Sequence, residues 1–133
     1  MKILFICKYN RFRSKIAEAF FNKLNKNKKN KTNSAGIIRG GLIDQGIIDA
    51  AKDYGIKIKS KPRGLTTELL KWQDTTVIVA DDVPKEIFKD NKKYGKKLII
   101  WKISDTKSNK KKEMEKIISQ IEIKVKDLVK ELD

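Results

Sequence analysis

Three short apolar runs constrain the fold more than any other feature: Ile3-Leu4-Phe5-Ile6, Thr76-Val77-Ile78-Val79-Ala80 and Lys97-Leu98-Ile99-Ile100-Trp101. They are rich in β-branched residues and lack the polar alternation of a half-solvated strand, so each reads as a strand buried on both faces. Between them the apolar period changes to that of a helix. Ile16, Ala19, Phe20 and Leu24 recur at three- and four-residue spacing, which predicts a helix over about 13–26. Ile43, Ile47, Ile48, Ala51 and Tyr54 mark a second helix, stopped by Gly55 where glycine caps a helix end. Met114, Ile117, Ile118, Ile121, Val125, Leu128 and Val129 form an apolar stripe on a last helix over 113–132. Asn33-Ser34-Ala35-Gly36 closes a further short strand or forms its exit turn, after a Lys/Asn run over 25–33 that reads as a solvated helix end and loop. Pro84 suits the first turn of a helix running to about Lys89.

Strands alternating with helices imply an α/β three-layer sandwich, a four-stranded parallel sheet with helices on both faces and right-handed crossovers. No repeat or linker divides the chain, so 1–133 reads as one domain. In such sheets a ligand binds outside the carboxyl ends of the strands. Cys7 follows the first strand directly, and the first helix starts just beyond it.

Composition narrows the chemistry available there. The chain has no histidine and one cysteine, so Ser-His-Asp and Cys-His pairs, Cys/His zinc sites and an intramolecular disulfide are all excluded. A lone thiol suits a reducing compartment, and the run 3–6, interrupted by Lys8 and Arg11, is too short for a leader or a membrane span. A cytoplasmic location with no membrane partner, no metal and no cofactor is expected.

The stretch Cys7-Lys8-Tyr9-Asn10-Arg11-Phe12-Arg13-Ser14 places a cysteine, five residues, an arginine and a serine between a strand and a helix N-terminus. A short loop there aims successive backbone N–H groups at one point, and the helix dipole adds positive potential. A tetrahedral oxyanion fits such a nest, and the planar fork of Arg13 can grip two of its oxygens. The same field stabilises a thiolate, and Ser14 can donate its hydroxyl to the sulfur. A lone cysteine at a strand end also suits a small buried hydrophobe. The spacing to Arg13 and Ser14 favours the nucleophile.

These residues carry a resemblance over nearly the whole chain. Lys2 to Cys7, with Asn10, Arg13-Ser14 and Ala17-Glu18-Ala19-Phe20, resembles the N-terminal signature of the low-molecular-weight protein tyrosine phosphatases, whose fold arsenate reductases share. Ser34-Ala35-Gly36, Pro62-Arg63-Gly64-Leu65-Thr66 and Val77 to Asp81 are similar to later segments of that family. The resemblance implies that Cys7 attacks phosphorus to form a phosphocysteine, while the amides of Lys8, Tyr9, Asn10, Arg11, Phe12 and Arg13, with the Arg13 guanidinium, hold the phosphoryl oxygens. It implies that Asn10, tolerant of left-handed angles, shapes the loop, that Ser34 supports it, and that Asp105 is the general acid and base. Asp81 and Asp82 are expected to be supporting or surface acids. Thr106, Lys107 and Ser108 stand where the family commonly has a proline and cleft tyrosines, and Phe12 stands where many members have a second cysteine.

The expected substrate is a phosphorylated protein or a small phosphomonoester. Two further readings are arsenate reduction with an external thiol and a cysteine phosphocarrier, against which Arg13 counts. The formal charge of +15 and the lysine-rich stretches over 23–31 and 107–112 raise a third, nonspecific nucleic-acid binding. Trp72 and Trp101 are expected in or near the core, and Tyr9 either walls the cleft or packs.

Overall fold

The computed structural model describes residues 1–58, 61–106 and 110–132. Four strands form one sheet: β1 (Lys2–Cys7), β2 (Lys31–Gly36), β3 (Thr75–Val79) and β4 (Lys97–Trp101). Their order is β2-β1-β3-β4 and every pair is parallel. The chain leaves β1 toward β2 on one side, and β3 returns on the other, so the order reverses at β1, where Cys7 ends the strand.

Helices α1 (Arg13–Leu24), α2 (Gln45–Asp53) and α4 (Lys111–Leu132) cover one face. Ile3, Phe5, Val77 and Val79 point into this layer and meet Ile16, Phe20 and Phe21 of α1 and the whole predicted stripe of α4. The Phe5 ring lies 6.0 Å from Phe21 and 6.2 Å from Trp101. Burying each such side chain contributes roughly 1.5–3 kcal/mol. On the other face Leu4, Ile6, Ala35 and Ile78 pack on Leu69 of α3 (Thr67–Trp72) and on Phe88, with Trp72 at the margin.

Several features differ from the sequence expectation: β4, expected to be buried on both faces, is an edge strand with Lys97 and Ile100 exposed and Trp101 alone buried, because only one neighbour, β3, flanks it. Strand β2 begins at Lys31, inside the stretch expected to be loop, because an edge strand tolerates the half-exposed polar residues Thr32 and Asn33. The helix expected after Pro84 is two short 3₁₀ turns, 85–88 and 92–94. The Asn91 side chain interrupts them, donating to Lys97 O and exchanging hydrogen bonds with Gln73. Helix α3, absent from the sequence expectation, has six residues and starts on a local cap, Thr66 Oγ1 accepting from Leu69 N–H at 3.2 Å. Lys107 and Ser108 lie outside the described residues, and no described helix is long and apolar enough to cross a membrane.

Candidate active site

The loop from Cys7 to Arg13 is held by one polar chain. Asn10 is fully buried and takes φ 57°, a left-handed conformation that asparagine tolerates better than most residues. Its Oδ1 accepts from Arg63 N–H at 3.0 Å, which fixes the orientation of the amide. Nδ2 therefore donates to Ser14 Oγ at 2.7 Å. Ser14 Oγ also lies 2.9 Å from Cys7 Sγ. With an Asn10 N–H already on the hydroxyl oxygen, the hydroxyl proton is free to point at the sulfur, and a thiolate there can only accept.

Backbone packing fixes the loop from outside. A Cβ on Gly36 would stand 2.6 Å from Ile38 O, 2.7 Å from Tyr9 C and 2.8 Å from Asn10 N, so only glycine lets β2 approach the loop. Ile37 N–H and Ile38 N–H donate to Cys7 O and Lys8 O, tying the segment after β2 along the same loop. No side chain caps α1 at Phe12, and Ile16 N–H to Phe12 O is a first-turn bond of that helix. The uncapped amides of the first turn are thus available to an anion.

Arg13 is a buried cation among carboxylates. Nη1 donates to Ile103 O at 2.9 Å, and Nη2 lies 3.0 Å from Asp82 Oδ1. Asp105 Oδ2 and Asp81 Oδ1 stand farther off, at 3.7 and 3.8 Å. Asp81 also accepts from Ser104 Oγ at 2.7 Å, and Asp105 Oδ1 from Thr106 N–H at 2.9 Å. The closest carboxylate to Arg13 is therefore Asp82, which the sequence marked only as one of two acids at a strand end. Nothing in the sequence pointed to the Ile103 carbonyl or the Arg63 N–H, because backbone groups leave no compositional signal.

Cys7, Arg13 and Asp105 line one cavity of about 140 Å³, with Tyr9, Arg11 and Phe12. Tyr9 thus walls the cleft. Lys8 lies 5.3 Å from the Tyr9 ring, and Arg11 pairs with Asp44 at 3.2 Å while donating to Leu42 O at 3.1 Å. Ser34, expected to support the loop, pairs with Phe5 within the sheet and donates to Glu18 Oε1 of α1 at 2.8 Å. Lys15, one residue past Ser14, is buried, and that burial lowers its pKa from the usual lysine value although Glu18 pulls it upward. A larger hollow of about 280 Å³ lies between α1 and residues 55–58, but no thiol lines it.

A family model described as low molecular weight phosphotyrosine protein phosphatase matches residues 2–133. No curated protein matches the chain. Among solved structures, the low molecular weight protein tyrosine phosphatase from T. tengcongensis is 23% identical with a TM-score of 0.84, covering 98% of this chain and 99% of that one. The YwlE arginine phosphatase from Geobacillus stearothermophilus is 19% identical with a TM-score of 0.84, covering 98% and 92%. An arsenate reductase from Archaeoglobus fulgidus is 27% identical with a TM-score of 0.74, covering 96% and 98%.

Proposed function

The chain belongs to the low molecular weight phosphotyrosine protein phosphatase family, a family of cysteine-dependent phosphatases, and we propose that it hydrolyses phosphate monoesters through a phosphocysteine on Cys7. The observation that carries this reading is the convergence of Cys7, Arg13 and Asp105 on one cavity at the strand ends, with the Ser14 hydroxyl on the sulfur.

The Cys7 thiolate attacks phosphorus, forming the S–P bond as the ester P–O bond breaks. Asp105, protonated, gives its proton to the departing oxygen. The loop amides and the Arg13 fork hold the three remaining oxygens, over which charge is spread in the transition state. Asp105, now ionised, takes a proton from water as that water attacks phosphorus. The S–P bond breaks, releasing phosphate and restoring the thiolate, which the Ser14 hydroxyl stabilises.

Hydrolysis of p-nitrophenyl phosphate by the wild-type protein, lost in Cys7→Ser, tests the reading; activity retained in Cys7→Ser refutes it. Phosphotyrosine and phosphoarginine peptides then separate the substrate classes named for the T. tengcongensis and G. stearothermophilus proteins.

The likeness to the A. fulgidus arsenate reductase favours one alternative. Arsenate would form a Cys7–arsenate adduct, and an external thiol would attack Cys7 sulfur, leaving a mixed disulfide and arsenite. The chain has one cysteine, so both electrons come from two sulfurs of which only one is its own. Arsenite release that requires added glutathione or mycothiol is its signature.

A further inference from the structure

We propose that the end of the sheet opposite Cys7 binds the phosphate backbone of a nucleic acid without regard to sequence. The proposal is independent of the hydrolytic reading, because it uses the amino ends of the strands and Cys7 lies at the carboxyl end of β1.

Strand pairing gathers the charges there. Lys2 and Lys31 are register partners at the starts of β1 and β2. Lys31 N–H donates to Met1 O, Asp74 N–H to Lys2 O and Lys97 N–H to Asp74 O, so the starts of all four strands form one continuous edge. Lys26, Lys28 and Lys29 stand on the adjoining turn between α1 and β2, and all six lysines are exposed. Among the described residues, Asp74, which accepts from Lys2 N–H at 2.8 Å, and Glu131 bring carboxylates to this end. Like charges paired across adjacent strands oppose folding, and they are tolerable where a polyanion neutralises them.

The turn is a built structure and not a loose charged run. Asn25 Oδ1 accepts from Asn27 N–H and Asn30 Nδ2, and Asn27 Oδ1 accepts from Lys29 N–H at 3.0 Å. These bonds hold the backbone while the lysines between them project outward. A nucleic acid suits this surface better than a membrane. Beside Lys2 and Lys31 the exposed large apolar side chain among the described residues is Met1, its sulfur engaged by Thr75 Oγ1 at 3.5 Å, while Tyr94 stands apart on the turn before β4. Stable membrane attachment asks for an apolar anchor besides charge, whereas sequence-blind duplex binding needs only the phosphates.

The test is fluorescence anisotropy with two short DNA duplexes of unrelated sequence, titrated with the full chain from about 50 to 200 mM salt. Both duplexes should bind with equal affinity, weakening steeply with salt. In Lys28→Gln/Lys29→Gln/Lys31→Gln the slope of log K against log salt should flatten by about 2–3, at roughly 0.9 for each phosphate no longer neutralised. An equal charge change at the other end of the sheet, Lys102→Gln/Lys112→Gln/Lys116→Gln, just past β4 and on the first turns of α4, should leave the slope in place. Circular dichroism melts confirm that both variants fold. Absence of duplex binding, equal flattening in the two variants, or tighter binding to phosphatidylserine vesicles than to DNA would each overturn the proposal.

Discussion

Arg13 Nη2 sits 3.0 Å from Asp82 Oδ1, while Nη1 of the same fork donates to the Ile103 carbonyl at 2.9 Å. The two contacts fix the guanidinium plane from behind, whereas Asp105 lines the cavity with Cys7. The aspartates therefore separate by role. Asp82→Asn should lower kcat/KM about tenfold, near 1.4 kcal/mol, by the same factor for every leaving group, because it disturbs only the grip on phosphate. Asp105→Asn should lower kcat about 100-fold for phenyl phosphate and much less for p-nitrophenyl phosphate, whose leaving oxygen needs no proton. A leaving-group dependence in Asp82→Asn would exchange the two assignments.

The chain from Arg63 N–H through Asn10 to Ser14 and Cys7 directs one hydroxyl proton at the sulfur. A hydrogen bond to a charged group contributes roughly 1.5–3 kcal/mol. Ser14→Ala should accordingly slow turnover about 10- to 100-fold with KM little changed. Asn10→Ala should also destabilise the fold, because alanine resists φ 57° and leaves Arg63 N–H without its acceptor. Asn10→Gly, which accepts the angle, should recover about 1 kcal/mol of that loss in urea melts. Equal stability of the two variants would show that the backbone angle costs nothing.

What could be read from the sequence, and what could not, follows from how each feature is encoded. The buried strands Ile3–Ile6 and Thr76–Ala80 and the α4 stripe are written in apolar periodicity, and the structure buries every one of those α4 residues. The loop cysteine, arginine and serine are legible because a strand and a helix bracket them. Edge strand β2 is not, since Lys31, Thr32 and Asn33 are partly solvated and carry no apolar pattern. Nor is α3, whose six residues are too few for a period to emerge. Asp82 was visible as an acid, but its pairing with Arg13 depends on the side-by-side placement of β1 and β3, a relationship across 69 residues.

Gly36 gives a steric test of the loop. Its added Cβ would collide with three backbone atoms, none of which can rotate away as a side-chain end could. Gly36→Ala should cost about 1–3 kcal/mol in denaturant melts and reduce kcat/KM, since two of the displaced atoms belong to Tyr9 and Asn10 of the loop itself. Gly41→Ala, where a Cβ meets nothing within 4 Å, should change neither. If the two substitutions behave alike, close approach of β2 is not what shapes the site.

Lys15 links stability to pH. Burial is the largest cause lowering its pKa from 10.5, with Arg63 adding to it and Glu18 and Cys7 opposing. The unfolded chain therefore binds more protons at this position than the folded one between the lowered value and 10.5. Over that window the burial penalty fades and the stability of the parent rises with pH. Lys15→Met keeps an unbranched stem without the charge. It should melt above the parent at pH 7, and the difference should shrink as pH climbs toward 10.5. A variant less stable at pH 7, or a difference that ignores pH, would mean that the ammonium is held by interactions outweighing its burial.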